Sequence, residues 1–470
     1  MSDIENGSVP NLDPMSRRGF LKLSGTAGLG AAAAALLASC SSGGSGSGGS
    51  GGGSGPVNLL VWYWGEQEAP GMKSFMTKAV AKYNSMQSKV KVTAVLQSSD
   101  SLYSAFASAA QAGKGPDIQY LWGGTQALGD VWLGYCAPLS DYIDESWLKA
   151  NIPMGALAQT NWGGKQWGMP FYQIGTAFPY NKKMFKEAGL NGDEPPTTWD
   201  AFLTALSKLK KIGVSPIGAG FKDQYLGGWL ASYFGQQNFS SVDDAIAPFR
   251  GTTQYAGAKY TQWIEKVQEL VQGGCFNNDV QSINLYQGQN MFTAKKAAIV
   301  TSVQPQITQF YRSMGGADTV GVMRSPAFGT GKYANSFGAP AQVLLITKFS
   351  PHPEEAAAFL KFLHTPAMMH LMYQESGAIC PDNNFDTKWL NTDTDKTMWH
   401  WQQTLPNFWY QYYYPLPFET NGVDPGLQQL WQAGGNVNSA VSTMQSAITK
   451  WGQQSPAQLQ AYKQWKPLGS

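Results

Sequence analysis

From Pro56 onward, short apolar runs alternate with helix-spaced stretches, and that alternation restricts the chain to few folds. Pro56–Trp62 reads as a first strand, followed by a helix with Phe75, Val80 and Tyr83 on one face. Val90–Leu96 reads as a second strand and Ser101–Ala112 as a second helix, leading to the apolar run that ends at Trp122. Strands that alternate with helices build a parallel sheet covered by helical layers, an α/β protein. Ligands of such sheets bind beyond the carboxyl ends of the strands. Trp62–Glu66 and Trp122–Thr125 fall at two such ends.

The N-terminus reads as an address rather than as part of the fold. Ser16-Arg17-Arg18-Gly19-Phe20-Leu21-Lys22 matches a twin-arginine export signal, and the Ala-rich run Leu29–Ala38 is too short to be a spanning helix. It ends in Leu37-Ala38-Ser39-Cys40, a lipobox in which Cys40 would take a diacylglycerol after cleavage before it. Ser41–Gly55 contains only Gly and Ser, a flexible tether on the order of 20 Å long. Residues 1–39 are thus expected to be a signal peptide, and 40–56 a lipidated cysteine and tether. The protein is expected outside the cytoplasm, anchored to the cell membrane.

The 470 residues leave, beyond the leader, enough chain for two domains with substantial cores. A net charge of +2 without a Lys/Arg block argues against nucleic acid as a partner. Only 14% of residues are charged while 13% are aromatic, including 17 Trp, a composition suited to neutral polar ligands. There is no GxxxxGK[ST] loop, no HExxH and no CxxC, so no cofactor or metal is expected. Cys136, Cys275 and Cys380 lie far apart and read as small buried hydrophobes. Export permits a disulfide among them, and the sequence does not choose a pair. His352 and His364 read as helix-flank residues.

The stretch Gly168–Phe202 carries the strongest family signal. Its pattern YNKKMFKEAGL…PPTTWDAF resembles the extracellular solute-binding proteins of bacterial ABC importers, the family-1 sugar-binding group that includes maltose-binding protein. Here Lys182–Ala188 reads as a helix stopped by Gly189, and Thr197-Thr198 caps a helix bearing Trp199, Phe202, Leu206 and Leu209. Gln287–Val300 and the helix Ala356–His364 match further family segments, so that the resemblance runs over Pro56–Lys466. It implies a periplasmic-binding-protein-like fold: two α/β lobes joined by a three-crossover hinge, with the ligand in the cleft between them. The crossovers are expected near Phe171, Pro340 and Cys380. Lobe 1 would comprise 57–170 plus 340–380, and lobe 2 would comprise 171–339 plus 381–470, with Phe385–Lys466 packed on lobe 2. Thr301-Ser302-Val303 stands where the family often has Gly-Ser-Trp, so one customary stacking aromatic is missing.

A sugar offers hydroxyls around a ring with apolar faces, and its site needs aromatic platforms plus amides and carboxylates. The expected contacts are Trp64, Glu66, Trp122, Gln173, Trp229, Gln304, Asn335, Phe337 and Asn421. Trp199 and Trp263 are assigned to the core, and Tyr412–Tyr414 to a packed loop. The resemblance implies a monomeric, non-enzymatic protein that captures a carbohydrate, an oligosaccharide by this reading, and passes it to a membrane permease. Two other readings are a lipid-anchored polysaccharide-active enzyme, for which Glu66 and Asp424 could be nominated as the carboxylate pair, and a non-sugar binding protein or adhesin.

Overall fold

The computed structural model describes residues 55–99, 101–223 and 225–467. The export signal, Cys40 and all but the last residue of the tether lie outside the described residues. Strand β1 (Val57–Tyr63) leads through helix α1 (Met72–Met86) to β2 (Val90–Leu96), then through α2 (Leu102–Gln111) to β3 (Ile118–Trp122) and α3 (Thr125–Trp132). In β1, Leu59, Val61 and Tyr63 are buried while Leu60 and Trp62 are only partly so, the alternation of a strand that packs one face harder than the other. β1 pairs in parallel with β2, from Val57–Val90 to Tyr63–Leu96, and with β3 at Val61–Ile118.

The chain then runs into β4 (Gly168–Gln173) and, after two residues, β5 (Thr176–Asn181). Asn181 ends that strand and caps α4 (Lys182–Glu187), its side chain accepting from the N–H groups of Lys183 and Met184. Gly189 closes the turn at φ +71°, a conformation that costs a side-chain-bearing residue energy. Pro195-Pro196 then block helix continuation, and Thr198 caps α5 (Trp199–Lys211), whose Trp199, Phe202, Leu206 and Leu209 are all buried. β6 (Ser215–Gly218), α6 (Tyr225–Phe234), α7 (Ala258–Gln272), α8 (Leu285–Thr293), β7 (Ala297–Val300), β8 (Ser302–Val303), α9 (Gln304–Ser313) and β9 (Val320–Met323) follow. The chain returns in β10 (Ala341–Ile346), then forms α10 (Pro353–Leu363), α11 (Pro366–Ser376), α12 (Asp393–Thr404), α13 (Val437–Gln454) and α14 (Pro456–Gln464).

These strands build two sheets. The first has the order β2-β1-β3-β10-β4; the second has β8-β5-β7-β6, with β9 also on β5. The first sheet is not purely parallel as the alternation predicts: β10 lies antiparallel between β3 and β4. The reason is directional, because β4 leaves for the second sheet at the edge where β10 comes back, so the two must run opposite ways.

The passages between the sheets lie side by side. The N–H of Gln173 donates to the carbonyl of Ile379 (2.9 Å), that of Ile174 to Pro340 (2.8 Å) and that of Thr176 to Gly338 (2.8 Å). Gly377, at φ +74°, ends α11, and a Cβ there would sit 2.9 Å from Cβ of Thr308 on α9. One departure concerns the C-terminus. α14 packs on the second lobe, where the Arg250 guanidinium donates to the Trp465 carbonyl, and also against α3 of the first. There Gln458 donates to the Gly129 carbonyl (3.1 Å), and Trp132 meets the rings of Tyr462 and Trp465 at 5.9 and 6.3 Å. Burial of these large apolar rings is maximal where both lobes supply a wall, so the segment is shared between them.

Candidate ligand-binding cleft

Between the two sheets lies a cavity of about 60 Å³ whose walls come from both lobes. On the first lobe, Trp64 follows β1, and its indole N–H donates to the Ser99 hydroxyl (2.8 Å). Trp122, at the end of β3, lies 5.1 Å from Trp64 and is stacked by Tyr103 of α2, also at 5.1 Å and with 22° between the ring planes. The Tyr103 hydroxyl donates to Oε1 of Gln126 on α3 (3.1 Å). Across the cavity, Tyr225 and Trp229 stand one turn apart on α6, and Leu285 and Tyr286 open α8. The Tyr225 hydroxyl reaches the Ser99 carbonyl at 3.4 Å, a direct contact between lobes. Ile174, from the passage between the sheets, lies at the cavity wall.

Two acids complete the wall. Glu68 is 2% exposed, and its Oε2 accepts from the Tyr172 hydroxyl (2.8 Å) and the Gln342 amide (3.0 Å). Glu419 is 4% exposed; both its oxygens accept from the Gln411 amide (2.9 Å) and one from the Tyr414 hydroxyl (3.0 Å). Burial pushes each carboxyl up to about 7, although those hydrogen bonds pull the other way. Rings that stack and polar groups that reach inward make a wall suited to a small amphipathic solute.

The structure thus brings Trp64, Trp122 and Trp229 to one cavity. It places the other expected contacts elsewhere. The Glu66 carboxylate accepts from the backbone N–H groups of Gly71 (3.2 Å) and Lys73 (2.6 Å) and ties down its own turn. Gln173 exchanges two amide bonds with Gln402, each 2.9 Å. The Gln304 amide is buried among the Thr308 hydroxyl, the Gly377 carbonyl and the Asp395 carboxylate, at 2.7–2.8 Å. Phe337 packs against Trp401 in a satellite core. Asn335 is exposed, as is Asn421, whose amide donates to the Pro417 carbonyl one turn back. Asp424, nominated for an enzyme, is buried beside Gly227 at the start of α6, and neither it nor Glu66 lines the cavity.

Sequence reasoning missed Tyr103, Gln126, Tyr225, Tyr286, Glu68, Gln411 and Glu419. Tyr225 was legible as the i−4 partner of Trp229 on one helix face. Glu68 had no local signal, because its partners Tyr172 and Gln342 are distant in sequence, whereas Glu419 is held by the nearby Gln411 and Tyr414. Tyr410, Tyr412 and Tyr414 are buried, as expected of a packed loop, with Tyr412 seated on Gly124. Gln411 in the same run nevertheless reaches the cavity. Cys136, Cys275 and Cys380 are buried free thiols, and among the described residues no His, Cys, Asp and Glu group is arranged to hold a metal ion. His364 is more than a helix flank: its ring is buried between the Asp382 carboxylate (3.0 Å) and the Pro170 carbonyl (2.7 Å).

Residues 65–370 match the model of the bacterial extracellular solute-binding protein family, and the chain belongs to that family. A putative binding protein of Brucella abortus (strain 2308) is 24% identical over 253 residues, 54% of this chain and 59% of that protein. The sn-glycerol-3-phosphate-binding periplasmic protein UgpB of Rhizobium meliloti (strain 1021) is 23% identical over 226 residues, 46% of this chain and 49% of its own. The chain therefore spans about half the length of such curated relatives. Among solved structures, a chitin oligosaccharide binding protein superposes with a TM-score of 0.74 at 20% identity, covering 84% of this chain and 98% of the other. The two-lobe solute-binding fold is shared with it.

Proposed function

We propose that this chain captures a saccharide between its lobes and presents it to the permease of an ABC importer, without itself catalysing a reaction. The observation that supports this most is the cavity at the strand ends, where Trp64, Trp122 and Tyr103 of one lobe face Tyr225, Trp229 and Tyr286 of the other. A solute gripped by both lobes favours their closure by its differential affinity for the closed form. The three adjacent passages between the sheets are where the backbone would swing. A cavity of about 60 Å³ holds only a few waters, so a solute of several rings requires the lobes to part further. The lobes would comprise 57–170 plus 340–380 and 171–339 plus 381–470, with α14 bridging them. Trp64, Trp122 and Trp229 are the proposed stacking platforms, with Glu68, Gln126, Gln411 and Glu419 as polar contacts.

The twin-arginine motif and Leu37-Ala38-Ser39-Cys40 support export by the twin-arginine route and anchoring of a monomer through a lipid on Cys40. Labelling with a radioactive fatty acid would test the anchor, with Cys40→Ala unlabelled. The binding role is tested by a thermal-shift screen of the purified protein against mono- and oligosaccharides. A ligand of the native state raises Tm by mass action; a panel without any rise refutes the saccharide reading, and consumption of a glycan refutes the non-enzymatic one.

A further inference from the structure

The charge of the cavity narrows the solute beyond the saccharide reading, on which this inference rests. Among the described residues its wall carries two carboxyl groups, Glu68 and Glu419, and no lysine, arginine or histidine. Both are held by neutral donors. The two hydrogen bonds to Glu68 land on Oε2, and among the described residues none reaches its Oε1, although the side chain is almost wholly buried at the cavity. The titratable groups facing Glu68 are the phenols of Tyr120, Tyr172, Tyr286 and Tyr412. Those facing Glu419 are the phenols of Tyr103, Tyr412 and Tyr414 and the carboxyl of Asp424, which has Asp223 beside it. None of them brings positive charge.

A buried carboxylate is costly unless a cation pairs with it. An anionic group placed here would meet two acids and no guanidinium or ammonium to hold it. A cation would find carboxyl groups in the wall and the faces of Trp and Tyr rings, which attract positive charge. We infer that the solute carries a protonated amine seated between Glu68, Glu419 and the tryptophans: an amine-bearing saccharide, and not an acidic or phosphorylated one. The remaining sugar hydroxyls would use Gln126, Gln411 and the indole N–H of Trp122 and Trp229.

The test is titration calorimetry on the purified full chain with matched sugars. The amine, N-acetyl, hydroxyl and 6-phosphate forms of glucose, galactose and mannose would be compared, together with the corresponding β-1,4 glucose disaccharides. The amine form is expected to bind about tenfold tighter or more than its N-acetyl and hydroxyl partners, the scale of one desolvated charge contact. Near pH 7 it should also release protons, measured by repeating the titration in buffers of different ionisation enthalpy, because an ammonium drives the carboxyls to ionise. Glu68→Gln and Glu419→Gln should each erase most of the amine preference while the variants still melt cooperatively. Equal or tighter binding of a neutral or phosphorylated form overturns the inference and leaves a saccharide site standing. Binding of the amine form without proton release, or with its preference intact in both variants, also overturns it. If no sugar of the panel binds, the saccharide reading itself fails.

Discussion

Glu68→Gln is expected to stabilise the ligand-free protein at neutral pH and to do nothing at acidic pH. Burial raises the Glu68 carboxyl from the ordinary 4.5 to about 7. Between those values the folded chain binds more protons than the unfolded one, so its contribution to stability falls as pH rises through that window. Each pKa unit is worth about 1.4 kcal/mol, so the ionised side chain costs the fold roughly 3 kcal/mol above pH 7. Glutamine keeps the shape and carries no charge. Because Tyr172 and Gln342 both donate to Oε2, a glutamine with its carbonyl oxygen there retains both bonds and turns its NH₂ toward the cavity. For a fold of this size about 3 kcal/mol corresponds to roughly 3–4 °C in Tm. Urea unfolding and thermal melts of both proteins from about pH 4.5 to about pH 8 would measure it. The curves should coincide at the acidic end and separate as pH rises, with the variant higher. Parallel curves, or a variant less stable at pH 8, would refute the reasoning that Glu68 is buried without a compensating cation.

Trp122→Ala and Trp229→Ala should each weaken binding of the solute identified in the screen by about tenfold or more, as expected for a lost stacking platform. Asn335→Ala and Asn421→Ala, exposed and away from the cavity, should leave calorimetric affinity unchanged. Asp395→Ala strands the donors of Gln304, Thr308 and Tyr373 in a buried site where α9, α11 and α12 meet, and should cost about 3–5 kcal/mol in urea unfolding; Asp395→Asn should cost distinctly less. Gly124→Ala introduces a Cβ 2.3 Å from the Tyr412 carbonyl oxygen at φ +66° and should destabilise by about 2 kcal/mol or more. For His364, burial lowers the ring pKa, but Cys380 and Asp382 outweigh it and raise it from 6.5 to about 10. That stabilisation is complete below 6.5 and is lost as pH rises toward 10, so unfolding free energies should fall over that range in the parent and stay flatter in His364→Gln.

Much of the framework was legible because it is written in local pattern. Asn181, Gly189, Pro195-Pro196 and Thr198 set helix starts and stops through capping and blocked backbone, and these effects need only neighbouring residues. The three passages between sheets were expected near Phe171, Pro340 and Cys380, and the structure aligns Ile174, Gly338–Pro340 and Ile379 there. The antiparallel insertion of β10 was not legible, since strand order depends on where a distant segment returns.

For the site, the tryptophans and the polar residues divide. Trp64 and Trp122 follow strands, and strand ends point to the cleft in any sheet of this kind, so their position carried information before any contact was known. Gln173, Gln304 and Phe337 also sit at crossovers, yet partners on other elements claim them: Gln402, Asp395 and Trp401. Glu66 and Glu68 are two residues apart and nothing local separates them. Only the packing of Tyr172 and Gln342 beside Glu68, and of the Gly71 and Lys73 N–H groups on Glu66, decides which one reaches the cavity. The sequence by itself determined the alternating α/β elements, their ends and the aromatic supply, because those follow from backbone sterics and periodicity. Tertiary structure alone decided which acids are buried, which amides are already spent and which rings face one another, because those depend on how separate elements pack against one another.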